Sequence, residues 1–322
     1  MKAAVYYETG DPSVFRYEDV PDPVCHPLGV IIEVKAIGIQ GGDTLNRQGG
    51  VLATVPHIVG YQAAGIIREV GDRVTDREPG QAVVATMNFG SHAEMASVPA
   101  AATYPLPDGM DPKVAACVPI EFATADDCLF EFGHLKRGET VLVQAGASGV
   151  GIAAIQLAKR AGATVIATAS NDEKLKRLKE IGLDHAINYV RESFVARTMQ
   201  ITDGRGVDLV VDSVGGKTLE GSVAVLAYRG RVSWVGGAGR DATVPGIWPI
   251  MQKNASITGV FLGAEMQLNA QRCGPMIEGL LSDVAKGGLH VAIDRVFPLS
   301  EAADAHRYIE SRAAFGRVVL VP

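Results

Sequence analysis

The chain has 322 residues, 47% of them hydrophobic, with 30 Lys and Arg against 36 Asp and Glu and a formal net charge of −6. That length and apolar content suit a large core divided between two domains. The mixed, mildly acidic charge argues against a nucleic-acid partner, and no run of about 18 apolar residues offers a membrane span.

Residues 1–120 are punctuated by Pro21, Pro23, Pro27, Pro56, Pro79 and Pro99. Between them lie short β-branched runs at 2–7, 29–39, 64–70 and 81–86, which predict an irregular antiparallel barrel. From about Thr140 the rhythm changes to strand 141–144, helix 150–161, strand 164–168 and helix 172–181 capped by Asn171. Strand 185–188, a helix over 191–202, strand 207–212, helix 217–227, strand 231–235 and a last strand 256–261 follow. Such alternation predicts an α/β fold with a doubly wound parallel sheet. The tail, 290–321, holds β-type runs around one helix at 300–311 and is expected to return to the first domain. The expected division is therefore 1–120, 121–263 and 264–322.

The turn Val141-Leu-Val-Gln-Ala-Gly-Ala-Ser-Gly-Val-Gly151 joins a buried strand to a helix with apolar Ile152, Ile155, Leu157 and Ala158. A glycine-rich turn in that setting lets backbone approach a pyrophosphate, which the helix N-terminus favours. Ser148 stands where the middle glycine of a GxGxxG fingerprint is usual. Enzymes using NAD end the second strand with an acid about 20 residues later, to hold the ribose hydroxyls. Here the strand ends Ala167-Thr-Ala-Ser170, and Lys174 and Arg177 follow. That favours a 2′-phosphate and hence NADP(H). Two other readings stay open: the charges of 172–177 as a solvated helix start, and Asp172 as a ribose ligand.

No CxxC spacing links Cys25, Cys117, Cys128 and Cys273, so structural zinc is not expected, and Cys117 and Cys128 are expected in the core. His57 and His92 have no partner at ligand spacing. Reduced, scattered thiols and a start without a signal-peptide pattern make a cytoplasmic enzyme the expectation.

Several motifs together resemble the medium-chain dehydrogenases/reductases, and within them the zinc-independent quinone oxidoreductases. They are Ala36-Ile-Gly-Ile-Gln40 with Asp43 and Arg47, Val59-Gly-Tyr-Gln-Ala-Ala-Gly65, Ala123-Thr-Ala125 and Leu135-Lys-Arg-Gly-Glu-Thr-Val-Leu-Val143. Val207-Asp-Leu-Val-Val-Asp-Ser-Val-Gly-Gly216 and Phe297-Pro-Leu-Ser-Glu-Ala-Ala-Asp-Ala-His306 complete the set. The resemblance implies a GroES-like barrel plus a Rossmann domain, an active site in the cleft between them, and a homodimer paired near 256–261. It assigns Gly41, Gly42, Asp43, Thr44, Leu45, Thr124 and Asp127 to the nicotinamide end, and Gly149 and Val150 to the pyrophosphate. Ser170, Asn171, Lys174, Tyr189 and Arg312 would surround the 2′-phosphate. Ser213, Val235, Gly236, Gly237, Phe261 and Gly263 would line the rest of the path.

The chain also departs from the family. Zinc-dependent relatives carry Cys near position 40 and His after Gly60, where this chain has Gln40 and Tyr61, so no metal is expected. Gln62 replaces a customary carboxylate, and tyrosines often found just after Arg47 are absent. Without a Lewis acid, the expected reaction is NADPH-dependent hydride transfer to a quinone or other conjugated carbonyl, with Gln40 as amide donor and Tyr61 as proton donor. An enoyl-thioester or 2-alkenoate reductase is the alternative, with Arg47 and Lys253 as basic residues for the acid group. A non-enzymatic NADPH-binding protein is the other, which the lost carboxylate at Gln62 would suit.

Overall fold

A computed structural model describes all residues, 1–322. Contacts divide the chain into two units, Met1–Ile120 with Ala270–Pro322, and Glu121–Asn269.

In the first unit the long strand Gly29–Gly38 pairs antiparallel with Gln62–Val70, Met95–Pro99 and Arg317–Val321. Its inward Val30, Ile32, Val34 and Ile37 meet Ile67, Val83, Val318 and Leu320 in one apolar core. The tail thus completes this sheet, although its strand Ile293–Pro298 joins Arg317–Val321 in parallel. A smaller sheet holds Lys2–Tyr6 between Arg16–Asp19 and His57–Ile58. Three helices here lie outside the predicted pattern: Gly41–Gly49, Pro112–Ala115 and Ala270–Ala285.

The second unit carries six parallel strands in the order His185–Asn188, Thr164–Ala169, Thr140–Val143, Val207–Asp212, Leu226–Trp234, Ser256–Gly259. Numbered along the chain this is 3-2-1-4-5-6, the Rossmann order, whose direction reverses between Thr140–Val143 and Val207–Asp212. Three strands run as nearly continuous buried segments, as strands covered on both faces must. The helix predicted over 217–227 ends earlier, at Gly216–Ala224. Val225 and Leu226 are buried at the start of the next strand, which carries Arg229 at φ 63°. Helices Pro119–Asp126, Trp248–Lys253 and Leu262–Leu268 were not predicted.

Candidate functional site

In the second unit the fingerprint turn sits at the point where strand order reverses, where an open α/β sheet has its ligand crevice. Helix Gly149–Arg160 starts one residue earlier than predicted, because Ser148 is its N-cap and its Oγ accepts the Gly151 N–H at 3.0 Å. The residue replacing the fingerprint's middle glycine therefore closes the helix end. A Cβ on Gly151 would lie 2.5 Å from the Ala145 carbonyl oxygen, so only glycine fits there. The N–H groups of Gly149 and Val150, at the first two helical positions, have no intrahelical acceptor and suit an anion.

Behind the turn runs a polar chain that sequence reasoning missed. Asp212 is buried, and its Oδ1 accepts the N–H groups of Val214 and Gly215 at 2.8 and 2.9 Å. Ser222 donates to Asp212 Oδ2 at 2.7 Å, and Gln144 Nε2 donates to Ser222 Oγ at 3.1 Å. Thr168 donates to Gln144 Oε1 at 2.8 Å and accepts the Ala145 N–H at 3.2 Å. These bonds tie together the carboxyl ends of the first, second and fourth strands and fix the turn between them. Buried polar chains of this kind hold one geometry only when every member is paired.

Most of the assigned cofactor residues follow the carboxyl end of a strand in this sheet. Ser170, Asn171 and Lys174 follow Thr164–Ala169, Tyr189 follows His185–Asn188, and Ser213 follows Val207–Asp212. Val235, Gly236 and Gly237 follow Leu226–Trp234, and Phe261 and Gly263 follow Ser256–Gly259. The sheet thus gathers them along one edge. Asn171 caps helix Asp172–Glu180 by accepting the Lys174 N–H at 2.9 Å, as predicted. Asp172 is engaged elsewhere: its Oδ1 accepts from Asn188 at 2.7 Å, and its Oδ2 pairs with Arg191. Each oxygen thus already has one donor, so Asp172 is a weakened acceptor for a ribose hydroxyl. Thr124 lies in helix Pro119–Asp126, and Asp127 is buried in the turn after it.

In the first unit, Gln40 precedes helix Gly41–Gly49, and its N–H donates to Asp43 Oδ2 at 2.7 Å. Asp43 is buried, so the structure places it inside the turn. Thr44 is also buried and donates to the Gly41 carbonyl at 2.8 Å, whereas Leu45 is exposed. The Tyr61 ring lies against Gly42, where a Cβ would come within 2.5 Å of its Cε2. The Tyr61 hydroxyl accepts from Asn46 Nδ2 at 2.6 Å, which leaves its own proton for another acceptor. Burial, helped by nearby Asp43, pushes this phenol up to about 12. It stays protonated at neutral pH, so its hydroxyl proton is available to donate. Arg312, exposed at φ 59°, follows helix Ala302–Glu310 in this unit.

Several expectations need correction here. Arg47 is fully buried, donates to the Gly10 carbonyl and pairs with Glu310, so it does not offer a cation to an acidic substrate. Lys253 donates one of its three N–H groups to the Ala224 carbonyl at 2.6 Å, at the end of helix Gly216–Ala224. Gln62 explains its lost carboxylate: its Oε1 accepts the Ile120 N–H, at 3.1 Å, in the first turn of helix Pro119–Asp126. An amide oxygen serves that bond as a carboxylate would, so the replacement is a fold contact. His57 and His92 lie in the core, with Cys117 and Cys128. No group of three or more His, Cys, Asp or Glu side chains is arranged to hold a metal ion, so these residues do not fit a zinc site.

Comparison with known proteins agrees with this architecture. The alcohol dehydrogenase GroES-like domain family matches residues 26–108, and the zinc-binding dehydrogenase family matches 149–278. The chain is 31% identical to a 2-haloacrylate reductase of a Burkholderia species, over 100% of this chain and 99% of that protein. It is 32% identical to a quinone oxidoreductase of Pseudomonas aeruginosa, over 97% of each. The crystal structure of Escherichia coli quinone oxidoreductase complexed with NADPH superposes with a TM-score of 0.95 at 29% identity, covering both chains completely. With full-length similarity at this level, and the Rossmann order and glycine turn in place, the chain belongs to the zinc-independent quinone oxidoreductase family of the medium-chain dehydrogenases/reductases.

Proposed function

We propose that this protein is an NADPH-dependent reductase acting on a quinone or another conjugated carbonyl. The observation that carries this reading is the glycine turn at the sheet's reversal point, followed by a second strand that ends at Ala169 without a carboxylate. The Gly149 and Val150 N–H groups hold the pyrophosphate, and Ser170, Asn171, Lys174 and Tyr189 surround the 2′-phosphate, with Arg312 assigned there by resemblance. Bound NADPH supplies the hydride. Tyr61, oriented by Asn46, donates a hydrogen bond to the acceptor oxygen and so stabilises the charge that develops there. Gln40 lies at the start of the neighbouring helix as a further polar group for the acceptor.

Steady-state assays with NADPH and NADH against a quinone, an enone and a 2-haloacrylate test the reading. Turnover with NADPH preferred over NADH is expected. Turnover confined to simple alcohols with NAD, or NADPH binding without any turnover, would overturn it. In the same assays Tyr61→Phe is expected to lower kcat/KM about tenfold, the worth of one hydrogen bond of about 1.4 kcal/mol. An unchanged kcat/KM would remove Tyr61 from the site.

The 2-haloacrylate reductase similarity favours a 2-alkenoate as the second reading. With Arg47 buried and paired with Glu310, the carboxylate of such a substrate needs another partner. We place the protein in the cytoplasm, a reading supported by four free cysteines. A homodimer is supported by the outer strand Ser256–Gly259, which pairs on one side only, and by the exposed Trp234, Trp248, Met251 and Phe261. Sedimentation as a single-chain species at micromolar concentration would exclude it.

A further inference from the structure

Two carboxylates, Asp172 and Glu173, open helix Asp172–Glu180 after the second strand, and Asp172 holds its first position. Asp172 lies about 20 residues beyond the glycine turn, three residues past the strand end where enzymes using NAD carry the acid that holds the ribose hydroxyls. A carboxylate there both offers an acceptor to a 2′-hydroxyl and repels a 2′-phosphate. In this protein it can do neither freely. Asn188, buried at the end of the adjacent strand, donates to Asp172 Oδ1 at 2.7 Å. Its amide cannot turn over, because its own Oδ1 accepts the Val190 N–H at 3.1 Å. Arg191 pairs with the other oxygen, Oδ2.

Both members of the ion pair are well exposed, Arg191 at 72% and Asp172 at 56% of the side chain, so the pair adds little to folding stability. Its effect is on the local field and on which acceptors remain. We infer that Asn188 and Arg191 are specificity-determining residues: they engage Asp172 and balance its charge, so that the loop after the second strand admits the 2′-phosphate of NADPH and offers only a weakened acceptor to NADH. Arg191 acts through Asp172, as a positioning residue. The inference rests on the NADP(H) reading above.

The test is direct binding, with dissociation constants for NADPH and NADH measured by cofactor fluorescence at low salt. Four proteins are compared: the wild type, Arg191→Ala, Asp172→Asn and the double variant, each checked for native circular dichroism. In Arg191→Ala the released carboxylate should weaken NADPH and leave NADH unchanged or tighter, lowering the preference for NADPH about tenfold. In the Asp172→Asn background the same arginine change should shift the preference less than about twofold, since the repulsive charge is gone. The difference should shrink as salt is raised. An equal loss in both backgrounds would overturn the inference, because Arg191 would then act on the nucleotide independently of Asp172. So would an unchanged preference in Arg191→Ala. A wild type that binds both nucleotides equally would sink the NADP(H) reading, and this inference with it.

Discussion

Gly60→Ala is expected to destabilise the protein by about 4 kcal/mol, summing backbone strain of about 1–3 kcal/mol and overpacking of similar size. Gly60 sits at φ 120°, a region that side chains rarely adopt. A Cβ there would lie 1.8 Å from Ser91 Oγ and 2.4 Å from His92 Nδ1. Relief is costly, because the two segments are joined by the His92 N–H to Val59 carbonyl bond at 3.0 Å and by the Ser91 N–H to Gly60 carbonyl bond at 3.4 Å. Gly90 supplies the control. It has a similar φ of 111°, yet nothing lies within 4 Å of its Cβ position. Gly90→Ala should therefore cost only the strain, about 1–2 kcal/mol. Urea unfolding midpoints of the two variants check this, and equal losses would show that the contact with Ser91 and His92 is unimportant. Because Gly60 precedes Tyr61, the damage is also expected to displace that phenol.

The second large effect is acid sensitivity. His92 and His306 face each other in the core, with Nε2 to Nε2 at 3.2 Å, beside Phe15. One nitrogen must donate and the other accept, so the accepting ring cannot take a proton at Nε2 without breaking the contact. Burial holds His92 down at about 3. Burial, then His92 and then Arg47, holds His306 well below the usual histidine range. In the unfolded chain both titrate near the ordinary value of 6.5. Below that value the unfolded chain binds protons that the folded protein refuses, so stability falls as pH falls. The loss from His92 continues until the folded ring itself protonates, near pH 3. Each ring should remove about 1.4 kcal/mol per pH unit, so the pair costs about 4 kcal/mol between pH 7 and pH 5. Urea unfolding at those two pH values checks the size. Replacing both rings by Gln should flatten most of the dependence, and a slope that survives would place its cause elsewhere.

The parts of the fold visible in sequence are those where one interaction dominates. Strands such as Val141-Leu-Val143 and Leu209-Val-Val211 are buried on both faces and read as apolar runs. Hidden elements lack such a signature. Helix Gly41–Gly49 buries Asp43, Thr44 and Arg47, so its inward stripe is polar and gives no hydrophobic period. Helix Ala270–Ala285 does carry a period, in buried Cys273, Ile277, Leu280 and Leu281, but Gly274 and Pro275 argue locally for a break. Tertiary burial of that stripe outweighs the missing proline N–H.

The site divides in the same way. The glycine turn and the cap at Asn171 are local and could be read from spacing. Gln144, Ser222 and Asp212 could not, because the bonds joining them span 78 and 10 residues. The engagement of Asp172 by Arg191 crosses 19 residues and an intervening strand, so proximity in sequence gave no hint of it.

The polar chain beneath the turn also constrains how the sequence can drift. Its direction is fixed, since Asp212 Oδ2 accepts from Ser222, Ser222 accepts from Gln144, and Gln144 accepts from Thr168. Thr168, Gln144 and Ser222 each accept one bond and donate the next, and replacing any one strands a buried neighbour. Thr168, Gln144, Ser222 and Asp212 therefore behave as a single inherited character. A lineage can exchange the whole set for an apolar plug, but no single replacement along that route is neutral.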